Sequence, residues 1–476
     1  MRKLLNILLL SLVMTLASSG AAAKNWPVTD FGAIGDGTTL NTAFIQKAID
    51  ACHAAGGGTV GVPNGRFVTG TLLLKDNVTL HLAKGAALLG SERPEDYRSI
   101  DPFTDATGQQ RGSCLIGALG AKNIAITGEG TIDGNGIAFQ AENLAKRYAK
   151  SEIKTLVSNR PFLLRFVKST DIQLHDVHLR QPAAWTCHFF QCDTLLVEGV
   201  KIFSHANKNN DGIDLDSSRH ATIRDCDIDT GDDAMCFKST SPQPCRDIHV
   251  SNCRLKSDWG AIKIGTESMG DFSKITVEHC RVYDTRGGGI KLLSADGANI
   301  SNITIDHIEM DQVDMPIFIR LGERLLTYRE APKQAVGSIN NVKISNITAT
   351  ARGLELSRIT PPAGIFITGT PGHKVGKLTL EDIHIRLPGG GTAAQASTVV
   401  EEQETKYPEF SFFGVLPAFG IYARHVGDLS ISNLSIETAA SDLRHAALLE
   451  DVSQHAWTQV QVNGQARSQP VIKPSR

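Results

Sequence analysis

Asp247-Ile248-His249-Val250-Ser251-Asn252-Cys253-Arg254-Leu255 holds two short runs in which apolar and polar residues alternate, broken by an Asn. Period-two alternation puts Ile248 and Val250 on one face and His249 on the other, the mark of a half-buried strand. The first run recurs upstream as Asn77-Val78-Thr79-Leu80-His81-Leu82, Asn123-Ile124-Ala125-Ile126 and Asp171-Ile172-Gln173-Leu174. It recurs downstream as Lys274-Ile275-Thr276-Val277, Asn302-Ile303-Thr304-Ile305, Asn341-Val342-Lys343-Ile344 and Asp428-Leu429-Ser430-Ile431. Aligning the second runs puts Val177, Val200, Cys226, Cys253, Cys280 and Ile308 in one column, at steps of 23, 26, 27, 27 and 28 residues. A chain with this period winds as a solenoid, in which each coil buries its apolar side against the next. The expectation is an all-β parallel β-helix.

Arg2 and Lys3 precede an apolar stretch from Leu4 to Leu16, and small residues follow up to Ala21-Ala22-Ala23. Residues 1–23 read as a secretory signal peptide, and the apolar run is shorter than the roughly 20 residues of a membrane span. Export to the periplasm or the medium is expected, with no membrane span. Removing this segment takes away two positive charges, so the formal net charge of −2 becomes −4. A chain so close to neutral is a poor partner for nucleic acid.

Residues 24–476 are expected to form one domain, since no Pro- or Ser-rich linker interrupts them. Thr42 to Ala54, with Ile45, Ile49 and Cys52 on one side and Gly56-Gly57-Gly58 as breaker, predicts an amphipathic N-terminal capping helix. Two stretches break the rhythm, 138–160 and 393–417, and are expected to be loops over a groove wall. Nine cysteines all lie in the mature part. Cys226, Cys253 and Cys280 fall at inward positions and act as small hydrophobes. Cys187 with Cys192 and Cys236 with Cys245 are close enough in sequence to be disulfide candidates. Neither zinc nor redox spacing is present, so no metal or cofactor is expected.

The third strands align as Gly212-Ile213-Asp214-Leu215-Asp216, Ala234-Met235-Cys236-Phe237-Lys238, Ala261-Ile262-Lys263-Ile264, Gly289-Ile290-Lys291-Leu292 and Pro316-Ile317-Phe318-Ile319-Arg320. Leu215, Phe237, Ile264, Leu292 and Ile319 form the inward column. Asp214, Asp216, Lys238, Lys263, Lys291 and Arg320 then point outward, on the side where Asp211, Asp232 and Asp233 enter their strands. Asp232 and Asp233 follow Asp211 by 21 and 22 residues, one coil, so the three carboxylates can meet. Two adjacent carboxylates do not both ionise cheaply, so one of Asp232 and Asp233 should hold a proton and serve as general acid. The other, with Asp211, would activate water on the far side of a sugar ring, the inverting scheme. Nearby lysines suit a substrate that bears carboxylates.

Asn209-Asn210-Asp211-Gly212, Gly231-Asp232-Asp233 and Gly289-Ile290-Lys291 resemble the motif series of glycoside hydrolase family 28, the polygalacturonases and rhamnogalacturonan hydrolases of pectin breakdown. Asp30-Phe31-Gly32-Ala33 with Gly57-Gly58-Thr59-Val60, and Tyr407-Pro408-Glu409 through Leu416-Pro417, extend the resemblance over nearly the whole mature chain. It implies a right-handed parallel β-helix that hydrolyses galacturonate-containing pectic polymers or oligosaccharides with inversion. It also implies Asp232 as acid, Asp211 and Asp233 as the water-activating pair, and no metal. Asn209, Lys238, Lys263, Lys291, Trp259 and Arg320 are the expected substrate contacts, and a monomer is expected. Two departures stand out: Gly260 occupies the place of the family's histidine, and Gly289 that of an arginine. Both turn the expectation from plain homogalacturonan toward rhamnogalacturonan or a decorated pectin. Two other classes stay open, a calcium-dependent polysaccharide lyase with Lys263 or Lys291 as base, and a noncatalytic carbohydrate-binding solenoid.

Overall fold

The computed structural model describes residues 24–467 and 469–474, so the signal-peptide reading lies outside the described residues. Strands of successive coils pair parallel and in register. One ladder stacks Ile172, Leu195, Ala221, Ile248, Ile275 and Ile303, all buried. A second stacks Leu179, Ile202, Ile228 and Leu255, and the column from Val177 to Ile308 is buried beside it. The third stacks Leu215, Phe237, Ile264, Leu292 and Ile319. One apolar core runs between the ladders from Val28 to Val462. At about 1.5–3 kcal/mol per buried aliphatic side chain, these columns supply the main drive to coil.

The corners between strands need backbone with positive φ. Asp225, Asn252, His279 and His307 stand at successive corners with φ between 50° and 57°. Asn and Asp tolerate this conformation because their short side chains bond locally, which is why they punctuate the sequence. Thr42–Ala54 is a helix that buries Ile45, Ala48, Ile49 and Cys52 against the first coil. No helix among the described residues is long and apolar enough to cross a membrane.

One expectation requires correction. All nine cysteines are free. Cys187 lies in the strand Cys187–Phe190, and Cys192 lies past the corner at Gln191, where its Sγ rests against Phe166 O at 3.3 Å. Cys236 Sγ lies against Gly265 O at 3.2 Å and Cys245 Sγ against Leu215 O at 3.4 Å, so they do not face each other. The outward face of the third ladder is itself a second interior. Asp214, Asp216, Lys238, Lys263, Lys291 and Arg320 are all buried. The strap 393–417 covers part of this face, with Phe410 and Phe413 packed on the stacked rings of Phe318, Phe366 and Tyr422. The hairpin Arg98–Thr104 with Gln110–Leu119 covers another part. The short helices Ala141–Leu144 and Lys150–Ser158 complete the expected break at 138–160.

Candidate active site

Three consecutive coils are pinned together where the acidic residues enter the third ladder. Gly212 N donates to Asp233 O at 2.8 Å, and Ala234 N donates to Gly260 O at 2.9 Å. Glycine is required at 212, because a Cβ there would lie 2.4 Å from Ala234 O. Asn210 is buried and donates to Pro182 O and Ala184 O, fixing the loop that carries Asp211. Thr230 Oγ1 and Ser257 Oγ donate to Asp232 O, fixing the next one. The result brings one oxygen of Asp211, Asp232 and Asp233 within 4.8 Å of one another.

These carboxylates sit in a cleft of about 330 Å³, walled by Thr107, Trp185, Asn209, Lys238, Trp259, Lys263, Glu267, Tyr407 and Phe412. Lys238 Nζ lies 3.1 Å from Asp211 Oδ2 and 4.4 Å from the Trp185 ring centroid. Lys263 Nζ lies 2.5 Å from Asp233 Oδ2, while Gly260 N donates to Asp233 Oδ1 at 3.1 Å. Asn209 Oδ1 accepts from Arg111 and Arg160, so its carbonyl is turned to the scaffold. Two residues expected in the site do not line the cleft. Arg320 donates to Thr368 Oγ1, Gly369 O and Glu402 O, so in place of a substrate contact it is an anchor for the strap. Lys291 is fully buried and pairs with Glu409 at 2.5 Å.

The surroundings divide the three acids. Burial, reinforced by the charges of Asp211 and Asp233, pushes Asp232 well above the usual carboxylate range. Burial likewise pushes Asp211 up to about 6, against the pull of Lys238. Burial would raise Asp233 too, but Lys263 first, then Lys238 and Lys291, hold it below its ordinary value. Asp232 keeps part of its surface open to the cleft, whereas Asp211 and Asp233 are 2% exposed. Asp211 Oδ1 is buried and has no hydrogen-bond partner among the described residues.

Asp105, Trp185, Glu267 and Phe412 escaped the sequence reading. Asp105 forms a buried ion pair with Arg111 at 2.7 Å, and Trp185 forms the floor beneath Lys238. Asp105, Trp185 and Phe412 come from a hairpin, a loop and a strap far apart in sequence, and no periodicity points to them; Glu267 lies at the end of the strand Ile262–Ser268, where its register with the preceding coil shifts.

Residues 52–405 match the sequence profile described as glycosyl hydrolases family 28. The chain belongs to this family. An exo-poly-alpha-D-galacturonosidase of Dickeya chrysanthemi is 31% identical over 321 residues, covering 58% of this chain and 53% of that protein. The chain spans about half the length of this relative and of a probable polygalacturonase of Vitis vinifera, where the share is 56%. An exopolygalacturonase of Zea mays is 25% identical, over 80% of this chain and 88% of that one. Among solved structures, the family 28 exopolygalacturonase of Yersinia enterocolitica aligns with a TM-score of 0.64 at 20% identity, over 94% of this chain and 80% of that one. The likeness establishes the right-handed parallel β-helix.

Within this family 28 site, the glycine at 260 has a local cause. A Cβ there would stand 2.9 Å from Asp233 Oδ1 and 3.1 Å from Lys291 Cδ. The two lysines fill the space a side chain would need. Gly260→Ala should therefore displace Asp233 and cost about 1–3 kcal/mol by overpacking, measured by denaturant unfolding, together with a drop in kcat of at least about tenfold, the equivalent of 1.4 kcal/mol.

Proposed function

We propose that this family 28 chain hydrolyses glycosidic bonds of galacturonate-containing pectic poly- or oligosaccharides, as an exported monomer. The observation that carries this reading is the division of the acidic trio. Burial and its two acidic neighbours push Asp232 well above the usual carboxylate range beside a cleft, while Lys238 and Lys263 each grip one of those neighbours. Asp232 is the general acid that protonates the leaving oxygen. Asp211 and Asp233 hold and deprotonate the attacking water. Export rests on the leader-like segment from Arg2 to Ala23.

The close approach of the nearest carboxylate oxygens leaves a second stereochemical reading to test. Inverting pairs usually stand roughly 6.5–9.5 Å apart and retaining pairs roughly 5–5.5 Å, and the oxygens here come within 4.8 Å. Against retention, both possible nucleophiles are tied to buried ammonium groups, which lowers their reactivity. Proton NMR of the first product decides: the inverted anomer supports the water-activating pair, and the retained anomer replaces it with a nucleophile. The lyase reading is less favoured, since two ammonium groups already stand where a calcium ion would have to bind the same carboxylates.

The proposal has a pH signature. Activity needs Asp211 ionised and Asp232 protonated, so kcat/KM should fall on the acid side as the trio takes up a proton near pH 6. It should fall again on the alkaline side as Asp232 loses its proton. These limbs belong to the coupled trio and not to single residues. Reducing-end release from pectic oligosaccharides, measured from pH 4 to 9 with chelator present, should trace this bell. A lyase would instead yield unsaturated, ultraviolet-absorbing products and lose activity to the chelator.

A further inference from the structure

The cations closest to the reacting carboxylates are already matched. Lys238 serves Asp211 and Lys263 serves Asp233. Lys291, the one motif cation left after the change to Gly289, faces Glu409 of the strap with both side chains fully buried. Arg111 is matched by Asp105. A substrate carboxylate could reach any of these only by displacing a buried partner, an unfavourable exchange.

Two guanidinium groups at the Trp259 edge of the cleft differ. The Arg358 guanidinium carbon lies 4.2 Å from the Trp259 ring centroid. Its side chain donates once, from Nη2 to Asp258 O, and its backbone N–H is held by Asp314 Oδ2 at 2.9 Å. Asp258, Asp314 and Glu409 surround it, yet among the described residues none forms an ion pair with its side chain. Arg286 is exposed and likewise unpaired among the described residues. It enters one coil beyond Trp259, and the following Gly287 passes so close that a Cβ there would lie 2.0 Å from Trp259 O. Burial lowers the Arg358 pKa, Glu409 opposes this, and the like charge of Arg286 adds to it, so the two guanidinium groups share one electrostatic neighbourhood.

We propose that Arg358, braced on Trp259 with Arg286 beside it, recognises a carboxylate of the sugar next to the scissile bond, a role that Lys291 is barred from by Glu409. A planar guanidinium laid on an indole keeps its N–H edge free for a bidentate carboxylate, and the ring limits the rotamers lost on binding. This rests on the hydrolytic reading for the identity of the cleft, but its readout does not need turnover.

The test is calorimetry in an Asp232→Asn background, with trigalacturonate and its methyl ester as ligands. Arg358→Gln should weaken trigalacturonate binding about tenfold and Arg286→Gln about threefold, leaving the ester unaffected. The paired change Lys291→Met/Glu409→Leu should keep the preference for the free acid. Unfolding curves check that each variant folds. Unchanged preference in both arginine variants, or its loss in the Lys291/Glu409 pair, would overturn the proposal, as would failure of trigalacturonate to bind. If the wild type frees no reducing ends while the arginine-dependent preference persists, the hydrolytic reading fails and the recognition site stands.

Discussion

Asp232→Asn should lower kcat by about 10²–10⁴-fold, the usual contribution of a positioned general acid, and at the same time make the protein more stable. The first effect follows from the loss of the proton that Asp232 holds toward the cleft. The second follows from linkage. Asp211 and Asp232 both have pKa values raised by folding, so between their ordinary value of 3.8 and their raised values the folded chain binds more protons than the unfolded one. Stability of the wild type must then fall as pH rises through that window. Asn keeps the shape of the protonated carboxyl without that penalty. A gain of about 0.5–2 kcal/mol at pH 7, in the range of other relieved active-site strain, should appear in urea unfolding. It should shrink toward pH 4, where the wild type is itself protonated. Wild-type turnover in the variant, with reducing ends as readout, would remove Asp232 from the acid role.

Lys263→Met should cost about 3–5 kcal/mol, because it strands the buried carboxylate of Asp233. The pair is 2.5 Å apart and each side chain is 2% exposed, so solvent screens it little. Lys263 is the strongest influence holding Asp233 below its ordinary value against burial. Without it Asp233 takes up a proton at higher pH, and the water-activating pair loses its ionised member. Activity should drop at least about a hundredfold, the lower end of base catalysis. The double variant Lys263→Met/Asp233→Asn separates the two effects, restoring much of the stability with no recovery of rate. A double variant as unstable as Lys263→Met would mean that the lysine acts through packing.

The coil was legible in the sequence because its cause is local. Each inward residue sits two positions from the next, and many corners carry an Asn or Asp at positive φ, as Asn252 shows. The same periodicity aligned Leu215 with Phe237 and Ile264. What it could not reveal was whether the outward face met water. Lys291 reads as a groove cation until Glu409 arrives from 118 residues away. Arg320 likewise reads as a rim charge until the strap carbonyl of Glu402 reaches it. Such encounters depend on how irregular segments cross the coils, and no period encodes them.

The walls of the cleft come from three distant times in the making of the chain. Thr107 is synthesised early, the three aspartates in the middle, and Tyr407 with Phe412 late, on the strap that the Phe318 and Phe366 rings hold down. A chain emerging from a ribosome or a translocation pore can wind its coils in order, yet it cannot close this cleft until the last quarter has come out and folded back. A truncation before residue 393 should therefore leave the aspartates aligned and the groove open on one side. Folding back of the strap and acquisition of a working groove are in this architecture a single event.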